Sequence, residues 1–455
     1  MNLLSNDINI QLSIIIPTFN TEKYIHETLE SLSNINKINT EIIIIDDCSH
    51  DKTLEIAKSW LEKNKIISQV LVNDINRGPS HSRNKGLHYA NGKYITFFDS
   101  DDICISSCYD KVIQAMEINN IDLCILGAKS FNDRTQTVYE FPDHAIWQAI
   151  LNESDYKITT LSREPRISGL APNMMNKIFK NEFIKHNEIV FPEGLIFEDL
   201  YFYASSMMSV NKILLVNEDI LLYRVNREGQ LTSLADGKYN DIIEISAKVL
   251  ELNKSAALCD KAWSNLIGTV IKLNVWCSEN CHFDYKKSFL EKSIKLFENL
   301  PDKIFDTYKK SNPLSQWEEN IITSYQEKNT QVLEVVAEGG YPDLPIKDDV
   351  KPERGTTTLY ELREMLDSLI SQQRDGWAND RFNVLNGKID TINDALTHYE
   401  QLFKNNISTN HFTLEKIEEI LLILHHEVEE KGTEGHSIIY DKIAKSINDI
   451  KNKLK

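Results

Sequence analysis

The stretches EIIIIDDCSHDKT (41–53) and GKYITFFDSDD (92–102) decide the fold, because each leads from an apolar run directly into a cluster of acidic residues. Four consecutive isoleucines, Ile42 to Ile45, are too few and too branched for a helix, and they predict a strand buried on both faces. Tyr94 to Phe98 predicts a second strand, which runs into Asp99-Ser100-Asp101-Asp102. Ligands of open parallel sheets bind beyond the carboxyl ends of the strands, so these acidic clusters are candidates for a binding site.

Around these two stretches the chain alternates between strand-like and helix-like segments. The apolar run from Leu12 to Ile16 ends at Pro17 and predicts another strand, and a fourth is expected near Val70 to Val72. Between the strands, apolar residues recur every three or four positions, which indicates helices. This β-α-β-α-β order over about the first 130 residues predicts an α/β fold with a mostly parallel sheet covered by helices.

Composition and charge narrow the class of protein. The 455 residues include 50 Lys and Arg against 68 Asp and Glu, a net charge of -18, so general nucleic-acid binding is not expected. No apolar run approaches the roughly 20 residues of a membrane-spanning helix, and MNLLSNDINIQLSIIIP at the N-terminus has no basic start typical of a signal peptide. The 7 cysteines, an odd number, fit free thiols better than a disulfide framework. These features predict a cytoplasmic protein.

Beyond the α/β pattern, the chain becomes mostly helical. A catalytic domain is expected at 1–240, followed by a helical extension at 241–338. The segment 339–357 contains Gly339-Gly340 and several prolines, and it predicts a linker. In 358–455 apolar residues alternate at spacings of three and four, which predicts either a coiled coil that forms a homo-oligomer or an intramolecular helical bundle.

The last helix of this region is basic and amphipathic. Residues 441–455 contain five lysines, and Ile443, Ile447, Ile450 and Leu454 share one face. Such a helix can lie on an anionic membrane, here the inner face of the cell membrane, although many lysine-rich terminal helices are simply solvated. Both interpretations stay open.

The acidic clusters have specific chemical uses. Asp99 and Asp101, which are separated by Ser100, can converge on a hard divalent cation, since Mg²⁺ and Mn²⁺ prefer oxygen ligands. A solvated turn is the structural alternative. At the other strand end, Asp47 can accept hydrogen bonds from the N–H groups of a ligand such as a uracil ring. Its structural alternative is a cap on the following helix.

Two further motifs carry candidate site residues. In NRGPSHSRNKG (76–86), Arg83 lies in a helix opened by a tight loop, where it could hold a phosphate by paired hydrogen bonds. The alternative is a surface arginine. Glu198-Asp199 stands at a predicted helix start, where acidic residues are favourable in any case. The functional interpretation is a general base that removes a proton from an acceptor hydroxyl.

Taken in order, five stretches resemble the family 2 glycosyltransferases, which have the GT-A fold. They are LSIIIPTFN (12–20), EIIIIDDCSHDKT (41–53), NRGPSHSRNKGL (76–87), GKYITFFDSDD (92–102) and FEDLYF (197–202). The resemblance covers about residues 10–235. It implies metal-dependent, inverting transfer of a sugar from a nucleotide diphosphate donor, usually UDP-linked, to a hydroxyl of a glycan or polymer acceptor. Synthesis of a bacterial cell-surface polysaccharide is the expected setting.

The same resemblance implies which residues bind the nucleotide. Pro17 to Asn20 would line the nucleotide pocket, and Asp47 would bind the base. Arg83 would contact the diphosphate, and Asp99 would touch the ribose or the metal. Arg227 stands near the place where many relatives carry a histidine after the pair corresponding to Tyr223-Arg224, and it could act as a cationic clamp instead. The implied nucleotide-binding residues are Pro17, Thr18, Phe19, Asn20, Asp47, Arg83, Asp99 and Arg227.

For the metal and the chemistry, the resemblance implies four acidic residues. Asp101 would be the main ligand of Mn²⁺ or Mg²⁺, with Asp99 touching the metal or the ribose. Asp199 would be the catalytic base, supported by Glu198. An inverting single displacement needs one base and an in-line acceptor, so no covalent nucleophile is required.

Two other functions remain open. A sugar nucleotidyltransferase would also bind its ligands at the carboxyl ends of the strands. It would need a glycine-rich phosphate loop after the first strand, however, and PTFNTEKY (17–24) stands there instead. A non-catalytic scaffold would combine a degenerate enzyme with C-terminal helices that organise a glycan-synthesis complex. The intact acidic motifs argue against degeneracy.

Overall fold

The computed structural model describes residues 9–35, 38–227, 238–253, 258–280, 283–312, 314, 316–329 and 333. The chain divides into two units, Met1–Ala337 and Glu338–Lys455, and all described residues belong to the first. The predicted linker (339–357), the coiled coil or bundle (358–455) and the basic terminal helix (441–455) lie outside the described residues.

Ten strands of the described residues form one sheet. They are β1 (Leu12–Thr18), β2 (Thr40–Asp46), β3 (Ile67–Val72), β4 (Tyr94–Phe97), β5 (Ile103–Cys104), β6 (Leu123–Asn132), β7 (Thr137–Glu140), β8 (Tyr156–Thr159), β9 (Lys177–Lys180) and β10 (Ile213–Val225). The strand order is β3-β2-β1-β4-β9-β6-β10-β5, with β7 paired to β6 and β8 paired to β10. The α/β fold expected from the alternating pattern is confirmed.

The sheet is mixed, whereas the sequence predicted a mostly parallel one. Strands β3, β2, β1 and β4 run parallel, and β6 runs parallel to β10. Between these two parallel groups, β9 runs antiparallel to both β4 and β6. Strand β9 is only four residues long, and short strands of this kind leave little periodicity for sequence reasoning to detect.

The central parallel strands β1, β2 and β4 are buried on both faces, as the isoleucine run predicted for β2, whereas β3 at the edge is partly exposed. Every residue of β2 is buried, and Ile43, Ile44 and Ile45 are fully so. Branched side chains fit this setting because they pack well on both sides of a pleated sheet. Parallel pairing of Thr18 with Asp46 then brings the ends of β1 and β2 to the same edge, so the residues that follow them meet there.

Twelve helices lie among the described residues. They are α1 (Ile25–Leu32), α2 (Thr53–Asn64), α3 (Pro79–Tyr89), α4 (Tyr109–Asn119), α5 (His144–Leu151), α6 (Asn181–His186), α7 (Glu198–Ser209), α8 (Asp241–Leu252), α9 (Asp260–Asn280), α10 (Phe283–Phe297), α11 (Asp302–Ser311) and α12 (Gln316–Glu327). Helices α8 to α12 pack around a second hydrophobic core, separate from the core around the sheet. None of the twelve combines the length and the hydrophobicity that a bilayer crossing requires.

Helix α7 belongs to both hydrophobic cores. Phe202 and Tyr203 pack into the core around the sheet, whereas Leu200 and Ala204 pack into the core of α8 to α12. Phe202 stacks on Phe191 with ring centroids 4.1 Å apart, and Phe97 at the end of β4 meets both rings edge-on. Packing from two sides fixes the first turn of α7 relative to the end of β4.

Helix α3 packs tightly on the middle of the sheet. A Cβ at Gly86 would lie 2.4 Å from Cγ2 of Ile15, so only glycine lets the helix approach this closely. The helix begins after Gly78, whose φ of 84° is readily adopted by glycine alone. This close approach places Arg83 over the carboxyl end of the sheet rather than in solvent.

Candidate active site

The loops after β1 and β2 are bound to each other at the carboxyl edge of the sheet. The backbone N–H of Asn20 donates to Oγ of Ser49 at 3.0 Å, and Oδ1 of Asn20 accepts from the N–H of His50 at 2.9 Å. Asn20 holds a positive φ of 50°, which asparagine tolerates better than most residues. Phe19 is 40% exposed beside them, and Pro17 and Thr18 end β1. The predicted pocket residues thus share one edge with the end of β2.

Asp47 organises the loop that leads into α3. Its carboxylate accepts hydrogen bonds from Nδ2 of Asn73 at 2.8 Å, from the N–H of Arg77 at 2.9 Å and from the N–H of Gly78 at 2.7 Å. The side chain is buried, as three charge-assisted bonds to one carboxylate allow. Contact between Asp47 and a nucleotide base stays a prediction, and the base would share these oxygens with the loop.

Arg83 is the centre of an acidic cluster. Its guanidinium donates from Nη2 to Oδ1 of Asp99 at 2.8 Å and from Nη1 to Oε1 of Glu198 at 2.5 Å, and Nη1 lies 3.4 Å from Oδ1 of Asp199. The ring of Phe191 lies 5.4 Å from the guanidinium carbon. Arg83 is only 4% exposed, so the alternative of a surface arginine is wrong. Three motifs that are far apart in sequence therefore meet at one cation.

Removing that cation should destabilise the fold. Arg83→Met is expected to lower the free energy of unfolding by about 3–5 kcal/mol, because it leaves the buried carboxylate of Glu198 without its partner. Urea unfolding at pH 7 measures the difference, with the exposed Arg163→Met as the control. Equal losses of stability in the two variants would mean that the cluster contributes little.

Glu198 and Asp199 share the first turn of α7 but differ in their surroundings. Glu198 is buried and bonded to Arg83, whereas Asp199 is 22% exposed and its Oδ1 has no hydrogen bond among the described residues. Burial raises the pKa of Asp199 to about 7, against the lowering effect of Arg83. Burial likewise raises the pKa of Glu198, opposed by Arg83. Asp199 therefore combines partial exposure with the raised pKa of a group that can accept a proton near neutral pH.

The acidic residues after β4 meet two arginines from the end of β10. Nε of Arg227 donates to Oδ2 of Asp101, and the ring of Tyr24 lies 5.4 Å from the Arg227 guanidinium. Arg224 donates from its backbone N–H to Oδ1 of Asp102 at 2.8 Å and from Nε to the carbonyl of Asp101 at 2.6 Å. The backbone of the DSDD segment is thus clamped, and Arg227 lies beside the predicted metal ligand.

Burial affects the two adjacent carboxyl groups strongly. It raises the pKa of Asp101, with Arg227 opposing the rise and Asp99 adding to it. For Asp102, burial together with the charges of Asp101 and Asp99 raises the pKa well above its usual range. The neutral form of Asp102 is therefore favoured over its usual balance, and the residue is a structural partner of Arg224.

The pair Asp99 and Asp101 fits a hard divalent cation as part of its ligand set. Carboxylate oxygens are the ligands such cations prefer, and a cation would offset the repulsion between the two groups. Each carboxylate already meets a guanidinium, from Arg83 and Arg227 respectively. Within the described residues no cluster of three His, Cys, Asp or Glu side chains is placed to hold a metal. The remaining ligands would therefore come from water and from the diphosphate.

Sequence reasoning missed the role of Arg224. Besides Asp101 and Asp102, it bonds Oδ1 of Asp133 and Oε2 of Glu27, each at 2.5 Å. These partners come from three separate parts of the chain, and none stands in a recognisable motif with the arginine. The pair Tyr223-Arg224 was the only local signal, and it does not indicate which acidic residues the arginine meets.

Comparisons with known proteins agree with this geometry. Residues 13–177 match the family model described as "Glycosyl transferase family 2". Poly(ribitol-phosphate) beta-N-acetylglucosaminyltransferase TarS of Staphylococcus aureus is 30% identical over 240 residues, which are 52% of this chain and 39% of that protein. Poly(ribitol-phosphate) beta-glucosyltransferase of Bacillus spizizenii is 26% identical over 284 residues, 61% of this chain and 41% of that protein. The chain thus spans about two fifths of the length of these relatives.

Solved structures show the same architecture. A crystal structure of a TarS fragment from S. aureus in complex with UDP-GlcNAc superposes with a TM-score of 0.57 at 22% identity, covering 76% of this chain and 98% of that one. The fragment in complex with UDP gives a TM-score of 0.57 at 21% identity. This similarity shows the GT-A fold that the motifs imply. Residues 13–177 of this chain are thus similar to the glycosyl transferase family 2, on a fold of the GT-A type.

Proposed function

We propose that the protein is an inverting glycosyltransferase that moves a sugar from a UDP-linked donor to a hydroxyl of a cell-surface polymer. The observation that carries the proposal is the partly exposed Asp199 in the first turn of α7, whose Oδ1 has no hydrogen bond among the described residues and whose pKa burial raises to about 7. It lies 3.4 Å from Arg83, which also bonds Asp99. A proton acceptor is thereby joined to the edge of the sheet where family members bind nucleotides.

The reaction follows from this arrangement. Asp199 would accept the proton of the acceptor hydroxyl while that oxygen attacks the anomeric carbon. The bond from the anomeric carbon to the diphosphate breaks on the opposite face, its electron pair leaves with UDP, and the configuration inverts. Arg83 and Glu198 hold Asp199 in place through the first turn of α7. A divalent cation held by Asp101 and Asp99 would supply positive charge against the leaving diphosphate.

The donor and acceptor are proposed from the relatives. The S. aureus relative is named for transfer of N-acetylglucosamine to poly(ribitol phosphate), and the B. spizizenii relative for transfer of glucose to the same polymer. We infer a UDP-hexose or UDP-N-acetylhexosamine donor and a polyol-phosphate acceptor. A donor of this kind is made in the cytoplasm, so the reaction would take place there.

A donor and acceptor panel tests the proposal. UDP release is measured with UDP-glucose, UDP-galactose and UDP-GlcNAc, each with poly(ribitol phosphate), with and without Mn²⁺ or Mg²⁺. NMR of the product then gives the anomeric configuration. Inverted product is the expected result, whereas nucleotide binding without turnover would favour the scaffold. Formation of UDP-sugar from UTP and sugar 1-phosphate would favour the nucleotidyltransferase.

The C-terminal region is proposed as an oligomerisation module with a membrane-facing end. Deleting residues 357–455 is expected to reduce the number of chains per particle, calculated from the mass measured by light scattering, because the apolar seams of 358–455 would be lost. Binding to vesicles that contain anionic lipid is expected to fall as well, since the five lysines of 441–455 are removed. If the number of chains per particle is unchanged, the intramolecular bundle is the remaining interpretation.

A further inference from the structure

Lys177, the first residue of β9, is buried although an ammonium group is costly to remove from water. Its Nζ donates three hydrogen bonds, to the carbonyls of Ala171 at 2.9 Å and Asn173 at 2.5 Å and to Oδ1 of Asn176 at 3.0 Å. The centroid of the Tyr203 ring lies 5.0 Å away. All three N–H groups are used within the protein, so Lys177 acts on its own chain.

The three acceptors of Lys177 belong to one loop, Ala171 to Asn176, at the carboxyl edge of the sheet. Strand β9 runs antiparallel to β4, and Oγ1 of Thr96 in β4 donates to the carbonyl of Lys177 at 2.9 Å. The loop before β9 therefore lies beside the end of β4, which leads to Asp99. In the strand order, β9 lies on the side of β4 away from β1 and β2. The predicted nucleotide pocket is at β1 and β2, so this loop lies on the other side of β4 from that pocket.

Lys177 also contacts the helix that carries the proposed base. Tyr203 follows Asp199 by four residues, so both lie on the same face of α7. The hydroxyl of Tyr203 donates to the carbonyl of Ile167 at 2.5 Å, in the 3-10 turn Pro165–Gly169 that precedes the loop. Helix α9 also contacts this 3-10 turn, because Nδ2 of Asn265 donates to the carbonyl of Pro165 at 3.2 Å. Loop, turn and helix thus form one connected support.

We infer that Lys177 is a positioning residue for the transfer reaction, because its buried ammonium shapes the loop Ala171 to Asn176 into a wall of the acceptor site and holds α7 with Asp199 against it. This inference rests on the proposed function for the identity of the reaction. It adds a residue that does not touch the substrate and that no motif of the family resemblance contains.

The charges around Asp199 offer a readout that a purely structural lysine would not change. Arg83 from α3, Lys177 from β9, Asp99 after β4 and Glu198 on the same helix all act on Asp199. The two cations lower its pKa, and the two acidic residues and burial raise it. The pKa of Lys177 is itself lowered to about 7 by burial, opposed by Asp143 and Asp199. Removing the lysine should therefore raise the pKa of Asp199 further.

The test compares Lys177→Met with Lys212→Met. Lys212 also donates from Nζ to a backbone carbonyl, that of Asn119 at 2.8 Å, but it lies just before β10, at the opposite edge of the sheet. The pH dependence of kcat and the affinity for UDP are measured for both. The carboxyl titration of Asp199 is followed by NMR with ¹³C-labelled aspartate, assigned with Asp199→Asn.

For Lys177→Met we expect UDP affinity within about twofold of the parent chain, kcat at pH 7 lower by about tenfold, and the Asp199 titration at higher pH than in the parent chain. Lys212→Met should change none of these. An unmoved titration and unchanged kcat, or a loss of UDP affinity as large as that of kcat, would overturn the inference. If Lys177→Met fails to fold, Lys177→Gln keeps N–H donors without the charge and must show the same shift. Should no sugar be transferred by the parent chain, the proposed function fails, and the Asp199 titration still decides the role of Lys177.

Discussion

Asp199→Asn is expected to lower kcat by about 10²- to 10⁴-fold while UDP affinity stays within a few-fold of the parent chain. The amide cannot take up the proton that the acceptor hydroxyl must lose, but it has nearly the same shape. Arg83 keeps its bonds to Glu198 and Asp99 in this variant, so the nucleotide edge of the site is not expected to move. Steady-state kinetics and calorimetry with UDP separate the two effects.

A matched control is Asp302→Asn. Asp302 is also an acidic residue in the first turn of a helix, α11, but it is exposed and belongs to the helical extension. The two substitutions remove the same favourable interaction with a helix N-terminus, so the control reports any loss that comes from the helix alone. If Asp199→Asn loses UDP affinity as strongly as turnover, Asp199 is a binding residue and not a base.

The raised pKa of Asp199 adds a prediction for stability within the same experiment. Its folded pKa of about 7 lies above the ordinary value of 3.8, so the folded state favours the protonated form. This contribution is fully present below the ordinary pKa and is lost as the pH rises through about 7. Asp199→Asn should therefore unfold at a temperature a few degrees higher than the parent chain at pH 8, and the gain should shrink towards pH 4. The kcat/KM of the parent chain should fall as the pH drops below about 7, because the base becomes protonated.

Asp101→Asn is expected to abolish the stimulation of transfer by Mn²⁺ or Mg²⁺ and to lower turnover by about 10²- to 10³-fold. The reason is the loss of the main oxygen ligand for the cation, while the backbone of Asp101 stays clamped by Arg224. Mn²⁺ binding in the presence of UDP, followed by electron paramagnetic resonance, and UDP release measure the two effects. Cation-stimulated turnover at the parental level would refute the assignment.

The neighbouring residue provides the control for this substitution. Burial and the adjacent carboxylates raise the pKa of Asp102, and its Oδ1 accepts from the N–H of Arg224. An asparagine there is neutral, of similar shape and still able to accept that bond. Asp102→Asn should therefore keep the fold, Mn²⁺ binding and turnover close to those of the parent chain. If cation-stimulated turnover is lost in Asp101→Asn but kept in Asp102→Asn, the loss does not come from a general decrease in local negative charge.

Sequence reasoning identified the main elements of the site because each element is local. A run of isoleucines forms a buried strand wherever a sheet can receive it, and parallel strands end at one edge, so the acidic clusters at 46–47 and 99–102 had to lie near each other. The helix that begins at Glu198 was also expected, since acidic residues favour a first turn. The GT-A fold followed from these motifs in order.

Contacts between distant parts of the chain could not be predicted in this way. Arg83 was equally compatible with a surface position, and only the close packing of α3 on β1 buries it among Asp99, Glu198 and Asp199. Strand β9 carries no distinctive periodicity, so the antiparallel insertion and the burial of Lys177 went unnoticed. The acidic partners of Arg224 come from Glu27 and Asp133 as well as from the DSDD segment, and no local pattern joins them.

By itself, then, the sequence determined the α/β class and the edge of the sheet that carries the candidate site, because strand burial and turn chemistry depend on neighbouring residues. Tertiary structure alone decided which carboxyl groups are paired with arginines, which have raised pKa values and which is partly exposed. Asp101, Asp102 and Asp199 are the same residue type, yet one is bonded to Arg227, one is fully buried beside Arg224 and one is partly exposed beside Arg83. The physical reason is that burial and the distance to a charged partner set these states, and both depend on residues up to 126 positions away.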